Sequence, residues 1–124
     1  MVFGTFDSLH DGHRHFLREA KNHGDYLIAV VASDHTVRHL KGKHPEKDIS
    51  IRMEELKEEE SVDEIVMGDE DLDTWEVVKR YRPEVIALGH DQHALRSALE
   101  AHFQNVRYHS EIVTIGAHKR SNRE

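Results

Sequence analysis

Two histidines, His10 and His13, stand three residues apart near the start of the chain, and Gly12 lies between them. An amphipathic segment follows over residues 14–22, and Asp11 is a residue type that caps such a helix. This spacing places both imidazoles at the start of the helix, where backbone N–H groups lack partners and the macrodipole is positive. Such a place binds phosphate. Two ring nitrogens directed at one point would add donors for the charge that grows on a phosphate oxygen during a reaction.

The same histidines also have a plainer interpretation, since the chain contains 12 of them and a single histidine is most often structural or exposed. A histidine-rich metal-binding protein is therefore one alternative class. Only His35 and His39 stand at i, i+4 on one helix with a third ligand nearby, and such pairs arise by chance at this histidine content. We predict no metal site built by the protein itself.

The composition indicates one small globular domain over residues 1–124. The formal net charge of −7 argues against nucleic acid as a partner, because a phosphate backbone needs a basic face. A small phosphorylated ligand needs only a local positive pocket. The longest apolar run, residues 26–32, is too short to cross a bilayer. Because the chain contains no cysteine, it is compatible with a reducing cytoplasm, and we expect a cytoplasmic protein with no membrane partner.

The elements that must position the histidines are strands that alternate with helical segments. Extended segments are predicted at residues 1–3, 26–32, 62–68, 84–88, 105–108 and 111–115. Helices between them start at caps such as Ser33 or Asp34, and Asp73. Such an alternation forms a parallel sheet with helices on both faces. Ligands of these sheets bind at the carboxyl ends of the strands, where residues 4–13 follow the first strand and residues 89–92 follow the fourth.

Residues 4–13 resemble the signature of the HIGH-motif nucleotidyltransferases, whose pattern is G-x-F-D-x-x-H-x-G-H. The matching residues are Gly4, Phe6, Asp7, His10, Gly12 and His13. Within that superfamily the chain is most similar to the small cytidylyltransferase-like group, which includes glycerol-3-phosphate cytidylyltransferase and the archaeal FAD synthases. The resemblance implies a single Rossmann-like α/β domain, with a doubly wound parallel sheet of five strands in the order 3-2-1-4-5.

The resemblance also implies an activity. A CMP or AMP moiety would pass from CTP or ATP to a small phosphorylated acceptor, in the manner of the glycerol-3-phosphate enzyme, with release of pyrophosphate. An FAD synthase and a non-catalytic nucleotide-binding module are the alternatives. His10 and His13 would hold the α-phosphate, and Lys41, or Lys43 after it, would hold the leaving phosphates. Mg²⁺ would accompany the triphosphate. By composition alone, residues 41–45 form a solvated turn.

The nucleotide-binding residues implied by the resemblance are Gly4, Thr5, Phe6, Asp7, Gly12, Arg52, Gly89, Asp91, Gln92 and Arg120. Three of these have an alternative role. Asp7 orients the acceptor or a metal-bound water, or is a plain turn residue. Arg52 forms a structural ion pair, or contacts the nucleotide or a second subunit of a homodimer. Asp91 is a helix N-cap, a ligand contact or both. Residues 89–92 resemble G-Y-D-Q of the FAD synthases, with His90 in place of tyrosine.

The end of the sequence differs from the family pattern. The family closes with an arginine- or lysine-led loop and an S-[ST]-[ST]-x-[IK] segment, where serines and a helix N-terminus hold the triphosphate. Residues 118–124 stop where that segment would begin. We therefore expect the domain to lack its C-terminal phosphate-binding segment, and Arg120 or Lys119 to serve as the cation there.

Overall fold

The computed structural model describes residues 1–70 and 74–116 as an α/β domain. In chain order its elements are β1 (Val2–Gly4), α1 (Asp11–Lys21), β2 (Ile28–Val31), α2 (Asp34–Lys41), α3 (Ile49–Leu56), β3 (Glu64–Met67), α4 (Glu76–Tyr81), β4 (Val85–Gly89), α5 (His93–Gln104) and β5 (Glu111–Ile115). The predicted alternation of strands and helices is confirmed. The predicted strand at 105–108 is wrong, since that segment lies outside the regular elements.

The strands pair in parallel, but in two groups. One sheet has the order β1-β2-β3, and a second consists of β4 and β5. A single ladder of five strands is therefore not confirmed. The physical reason is that β1 has only three residues. The backbone hydrogen bonds towards β4 come from Met1, which precedes β1: its amino group donates to the Val85 carbonyl (2.9 Å), and its carbonyl accepts from the Ala87 N–H (3.0 Å).

The core lies on both faces of the strands. Every residue of β2 is buried, as its continuous apolar sequence predicts for a strand covered on both sides. Leu17 of α1 and Leu56 of α3 pack on one face together with Ala29 and Val31. The other face is covered by residues of α4 and α5, including Val78 and Leu99, against Ile28 and Val30 of β2. The two faces hold the carboxyl ends of β1 and β2 in fixed register, with Gly4 opposite Val31.

The helix starts show where local sequence signals are sufficient. Ser33 caps α2 as predicted, and its hydroxyl accepts from the Thr36 N–H (3.1 Å). Helix α4 begins at Glu76 after Trp75, which adopts a left-handed backbone (φ 55°) without a side-chain cap. The predicted cap Asp73 lies outside the described residues. No helix within the described residues is both long and apolar enough to cross a membrane.

Candidate functional site

The two histidines of the signature cap the helix that follows them. His10 is the N-cap of α1, and its Nδ1 accepts a hydrogen bond from the Gly12 N–H (3.0 Å). The Nδ1 of His13 accepts in return from the His10 N–H (3.2 Å), which completes a reciprocal capping box. The prediction that Asp11 is the cap is therefore wrong by one residue, since Asp11 is the first residue of the helix.

This capping arrangement fixes the protonation pattern of both rings. A ring nitrogen that accepts a hydrogen bond carries no proton, so each neutral imidazole has its proton on Nε2. The ring centroids of His10 and His13 are 4.0 Å apart, which leaves two neighbouring N–H donors. Burial lowers the pKa of His13, and the charges of His10, Arg14 and Lys41 lower it further. The neutral form of the His13 ring is therefore favoured over the charged form.

Two glycines make room for this arrangement. A Cβ atom on Gly12 would lie 2.8 Å from Cε1 of His10, and one on Gly4 would lie 2.9 Å from the ring of Phe6. Phe6 is 3 % exposed and has a left-handed backbone (φ 54°). Its ring centroid is 5.9 Å from that of His13. Gly4, Phe6 and Gly12 thus support the histidine pair by their shape.

Asp7 turns towards the segment between α2 and α3. Its two carboxylate oxygens accept from the Glu46 N–H (2.7 Å) and the Lys47 N–H (3.1 Å). The hydroxyl of the next residue, Ser8, donates to the Glu46 carboxylate (3.1 Å). The carboxylate of Asp7 is therefore engaged by the protein itself.

Arg52 lies inside the domain, with a fully buried side chain. Its guanidinium donates to the Lys47 carbonyl (2.9 Å), the Thr5 carbonyl (2.8 Å) and the Asp34 carboxylate (2.7 Å). Of the two alternatives for this residue, the ion pair with Asp34 is present. A direct contact with a nucleotide or a second subunit does not fit a guanidinium with no exposed surface. Arg52 instead fixes the backbone of Thr5 through the hydrogen bond to its carbonyl.

Lys41 is the last residue of α2 and is exposed. Gly42 ends the helix with a left-handed backbone (φ 73°), and its N–H donates to the Arg38 carbonyl (2.8 Å). The charge of Lys41 contributes to the lowered pKa of His13. Lys43 follows in the exposed loop.

The turn after β4 is held by Gln92. Its Oε1 accepts from the Gly89 N–H (2.7 Å), and its Nε2 donates to the Phe3 carbonyl (3.0 Å). Gln92 therefore joins the carboxyl ends of β1 and β4. It also takes the N-cap position of α5, so the N-cap alternative for Asp91 is wrong. Asp91 is exposed at the turn, and its Oδ1 lies 3.1 Å from the position of a Cβ on Gly89.

Sequence-based prediction missed two residues of the site, Glu46 and Lys47. They contribute backbone amides that bind Asp7, and a backbone amide leaves no residue-type signal in a sequence. Arg120 and Lys119, the predicted C-terminal cations, lie outside the described residues. Hydrogen bonds thus join residues 4–13 to Glu46 and Lys47, and the turn at 89–92 to β1.

Comparison with known proteins identifies the family. The model of the family described as cytidylyltransferase-like matches residues 1–120. The chain belongs to the cytidylyltransferase-like family. A protein of known structure, the lipopolysaccharide core biosynthesis protein from Thermoplasma volcanium, is similar with a TM-score of 0.88 and 36% identity over 96% of each chain.

Curated relatives of this cytidylyltransferase-like chain are FAD synthases. That of Thermococcus sibiricus is 42% identical over 112 residues, which cover 90% of this chain and 76% of the relative. That of Archaeoglobus fulgidus is 41% identical over 93% of this chain and 82% of the relative. That of Pyrococcus abyssi is 46% identical, but the match spans only 62% of its length. The chain is therefore a nucleotidyltransferase.

A metal ion bound by this cytidylyltransferase-like domain alone would need several ligand side chains that lie together. Among residues 1–70 and 74–116, no three histidine, aspartate or glutamate side chains lie together as a metal site. His35 and His39 are exposed on α2. Mg²⁺ usually keeps several waters and binds through substrate phosphates and one or two carboxylates.

Proposed function

We propose that this nucleotidyltransferase is an FAD synthase, which transfers AMP from ATP to the phosphate of FMN. The observation that carries the proposal is the set of relatives named FAD synthase, the first of them matched over 90% of the chain. Asp91 and Gln92 agree with it, because they match the turn of that subgroup. Transfer of CMP to glycerol 3-phosphate is the second candidate, favoured by the description of the family model.

The reaction requires one displacement at phosphorus. An oxygen of the acceptor phosphate forms a bond to the α-phosphorus, and the bond from that phosphorus to the oxygen bridging to the β-phosphate breaks. Pyrophosphate leaves with that bridging oxygen. No covalent intermediate with the protein is needed, so catalysis consists of positioning and charge stabilisation. Mg²⁺ bound to the triphosphate would neutralise part of its charge.

The residues of this chain have separate tasks in that displacement. The Nε2–H groups of His10 and His13 donate to oxygens of the α-phosphate, on which charge grows. They are preorganised, because the capping box fixes their orientation before substrate binds. The amides at the start of α1 add to the positive potential. Lys41 follows the leaving pyrophosphate with a flexible point charge. Arg120 is the proposed cation on the C-terminal side.

The same proposal includes a finer description of the fold. We place β1 beside β4, in the strand order 3-2-1-4-5. The hydrogen bonds of Met1 with Val85 and Ala87 support this order, as does the bridge from Gln92 to Phe3. The two loops of the site then lie at neighbouring strands, where a nucleotide can contact both.

The experiment is a matrix of two nucleotides and two acceptors. Purified protein is incubated with Mg²⁺ and ATP or CTP, and with FMN or glycerol 3-phosphate, while pyrophosphate and the nucleotidyl product are measured. We expect FAD and pyrophosphate from ATP with FMN, and little product from the other pairs. Product from CTP and glycerol 3-phosphate would support the second candidate instead. Nucleotide binding without product in any pair would favour a non-catalytic module.

A further inference from the structure

We propose that Arg52 is a positioning residue that acts through His13, which it orients by way of the Thr5 carbonyl and the Phe6 ring. This role rests on the proposed function, in which the Nε2–H of His13 donates to the α-phosphate. The guanidinium of Arg52 then serves the reaction without touching a substrate.

The buried guanidinium of Arg52 is poorly suited to stability alone. Its side chain has no exposed surface, and burial of a charge costs free energy that an ion pair often fails to offset. The planar guanidinium does supply several donors in fixed directions. They reach three separate segments of the chain, at the Asp34 carboxylate (2.7 Å), the Lys47 carbonyl (2.9 Å) and the Thr5 carbonyl (2.8 Å). Arg52 therefore fixes the position of Thr5 relative to two other segments.

The backbone that follows Thr5 is strained. Phe6 and Ser8 both have left-handed conformations, with φ of 54° and 57°, although neither is a glycine. Such conformations persist only where the surrounding structure determines them. The hydrogen bond from Arg52 lies on one side of Phe6, and on the other side the Asp7 carboxylate accepts from two backbone amides. These anchors together hold Phe6 in its left-handed conformation.

The ring of Phe6 links this backbone to His13. Phe6 is buried, and its ring lies so close to Gly4 that a Cβ atom there would be 2.9 Å from it. The ring centroids of Phe6 and His13 are 5.9 Å apart, with an interplanar angle of 55°, which is within the distance range of aromatic pairs. The His10 N–H holds the His13 ring at Nδ1, and contact with Phe6 limits how that ring can tilt. The direction of the Nε2–H of His13 therefore depends on the position of Phe6.

The first test compares Arg52→Lys with Asp34→Asn. Both changes weaken the ion pair between these two residues, but only the first removes the donor to the Thr5 carbonyl. Asp34→Asn should lower thermal stability and keep kcat close to that of the wild type. Arg52→Lys should lower kcat about 10- to 100-fold, as for a small misplacement of a reacting group. The KM for the nucleotide should change less, because His13 donates to charge that grows during the reaction.

A variant without buried charge covers the case in which Arg52→Lys fails to fold. In Arg52→Met combined with Asp34→Asn, both charges are absent, so that neither is left buried and unpaired. We expect this double variant to have a lower kcat than Asp34→Asn alone, by the same factor as for Arg52→Lys. Equal kcat in the double variant and in Asp34→Asn would overturn the role of Arg52.

The second test changes Phe6. Phe6→Leu leaves the three acceptors of Arg52 unchanged and removes the ring beside His13, so kcat should fall about 10- to 100-fold. In combination with Arg52→Lys, the loss should be little larger than that of the stronger single variant, because residues that act through one contact are not additive. Phe103→Leu is the matched control, since its ring lies 5.4 Å from that of His102 in α5, and it should lower stability with normal kcat. Losses in Arg52→Lys and Phe6→Leu that multiply would overturn the proposal.

A readout without turnover separates this role from the proposed function. The carbon-bound ring protons of His13 are followed by NMR in the absence of nucleotide, because an aromatic ring shifts the signals of protons beside it. Phe6→Leu and Arg52→Lys should shift the His13 signals in the same direction, whereas Asp34→Asn should leave them unchanged. Unchanged His13 signals in Arg52→Lys, or in the double variant with Arg52→Met, would overturn the positioning role. A wild-type protein inert towards every nucleotide and acceptor, with these shifts present in the variants, would overturn the proposed function alone.

Discussion

The histidine loop, residues 4–13, and the turn at residues 89–92 follow different strands, and their side chains are held in opposite ways. In the first, backbone amides bind the inner nitrogens of His10 and His13, which leaves the outer nitrogens free to donate. In the second, the side chain of Gln92 binds the backbone, with both of its polar groups engaged. In the proposed function the first loop therefore presents side chains to a ligand, whereas the second uses one to hold strands together.

The difference distinguishes two kinds of side chain in a motif: those that can contact a ligand and those that hold the protein backbone in place. A side chain whose polar atoms all have protein partners positions other groups, as Asp7, Arg52 and Gln92 do. A side chain held at one atom and open at another is ready for a ligand. His10 and His13 have that arrangement. The comparison can be tested by changing the two kinds of residue separately.

The largest effect is expected for His13→Ala. Removal of one preorganised donor to a developing charge should lower the rate of pyrophosphate release by about 10²–10³, while the fold stays intact. His23→Ala is the control, because His23 is exposed and lies beyond α1. Equal turnover in the two variants would contradict the role of His13 as a donor to the developing charge.

A smaller loss is expected for Gly12→Ala. The new Cβ would lie 2.8 Å from Cε1 of His10 and would push that ring from its cap. We expect a loss of about 10- to 100-fold in kcat/KM, as for a small misplacement of a reacting group. Gly24→Ala is the matched control, since a Cβ there meets nothing within 4 Å. Full activity in Gly12→Ala would show that the orientation of His10 is unimportant.

The dependence of activity on pH should report the protonation of His13. Burial lowers the pKa of His13 below its ordinary value of 6.5, so the neutral ring persists to lower pH than in an exposed histidine. Activity should therefore be constant above pH 6.5 and fall only as pH drops through the lowered pKa. A lowered pKa in the folded state also means that its stabilising contribution is complete above 6.5 and is lost as pH falls through the folded value. Activity that rises on acidification would contradict a neutral donor.

The smallest effect on rate is expected for Gln92→Ala. Loss of its bonds to Gly89 and Phe3 should lower the free energy of unfolding by about 1–3 kcal/mol, measured by denaturant unfolding. Turnover should fall less than in Gly12→Ala, because Gln92 contacts no ligand in this account. Gln104→Ala, at an exposed position in α5, is the control. A large loss of turnover with unchanged stability would make Gln92 a ligand contact.

Much of the fold can be predicted from the sequence, because apolar runs and helix caps are local signals. The apolar run of β2 and the cap at Ser33 depend on neighbouring residues, and both are present as predicted. Capping preferences favour Asp11 as the N-cap of α1, because histidine is not a usual capping residue. It caps here because the neutral ring leaves a lone pair on Nδ1. The tasks of Asp7 and Arg52 depend on contacts with residues distant in sequence, which spacing cannot reveal.

The most direct test of the histidine pair is a long-range ¹H–¹⁵N NMR spectrum of the imidazole nitrogens, recorded near neutral pH with and without ATP and Mg²⁺. The account predicts that His10 and His13 both carry their proton on Nε2 in the free protein, and that both Nε2 signals shift when the nucleotide binds. Protons on Nδ1 would contradict the capping geometry. Shifts confined to His90, in the turn at residues 89–92, would contradict the assignment of the phosphate site to the histidine loop.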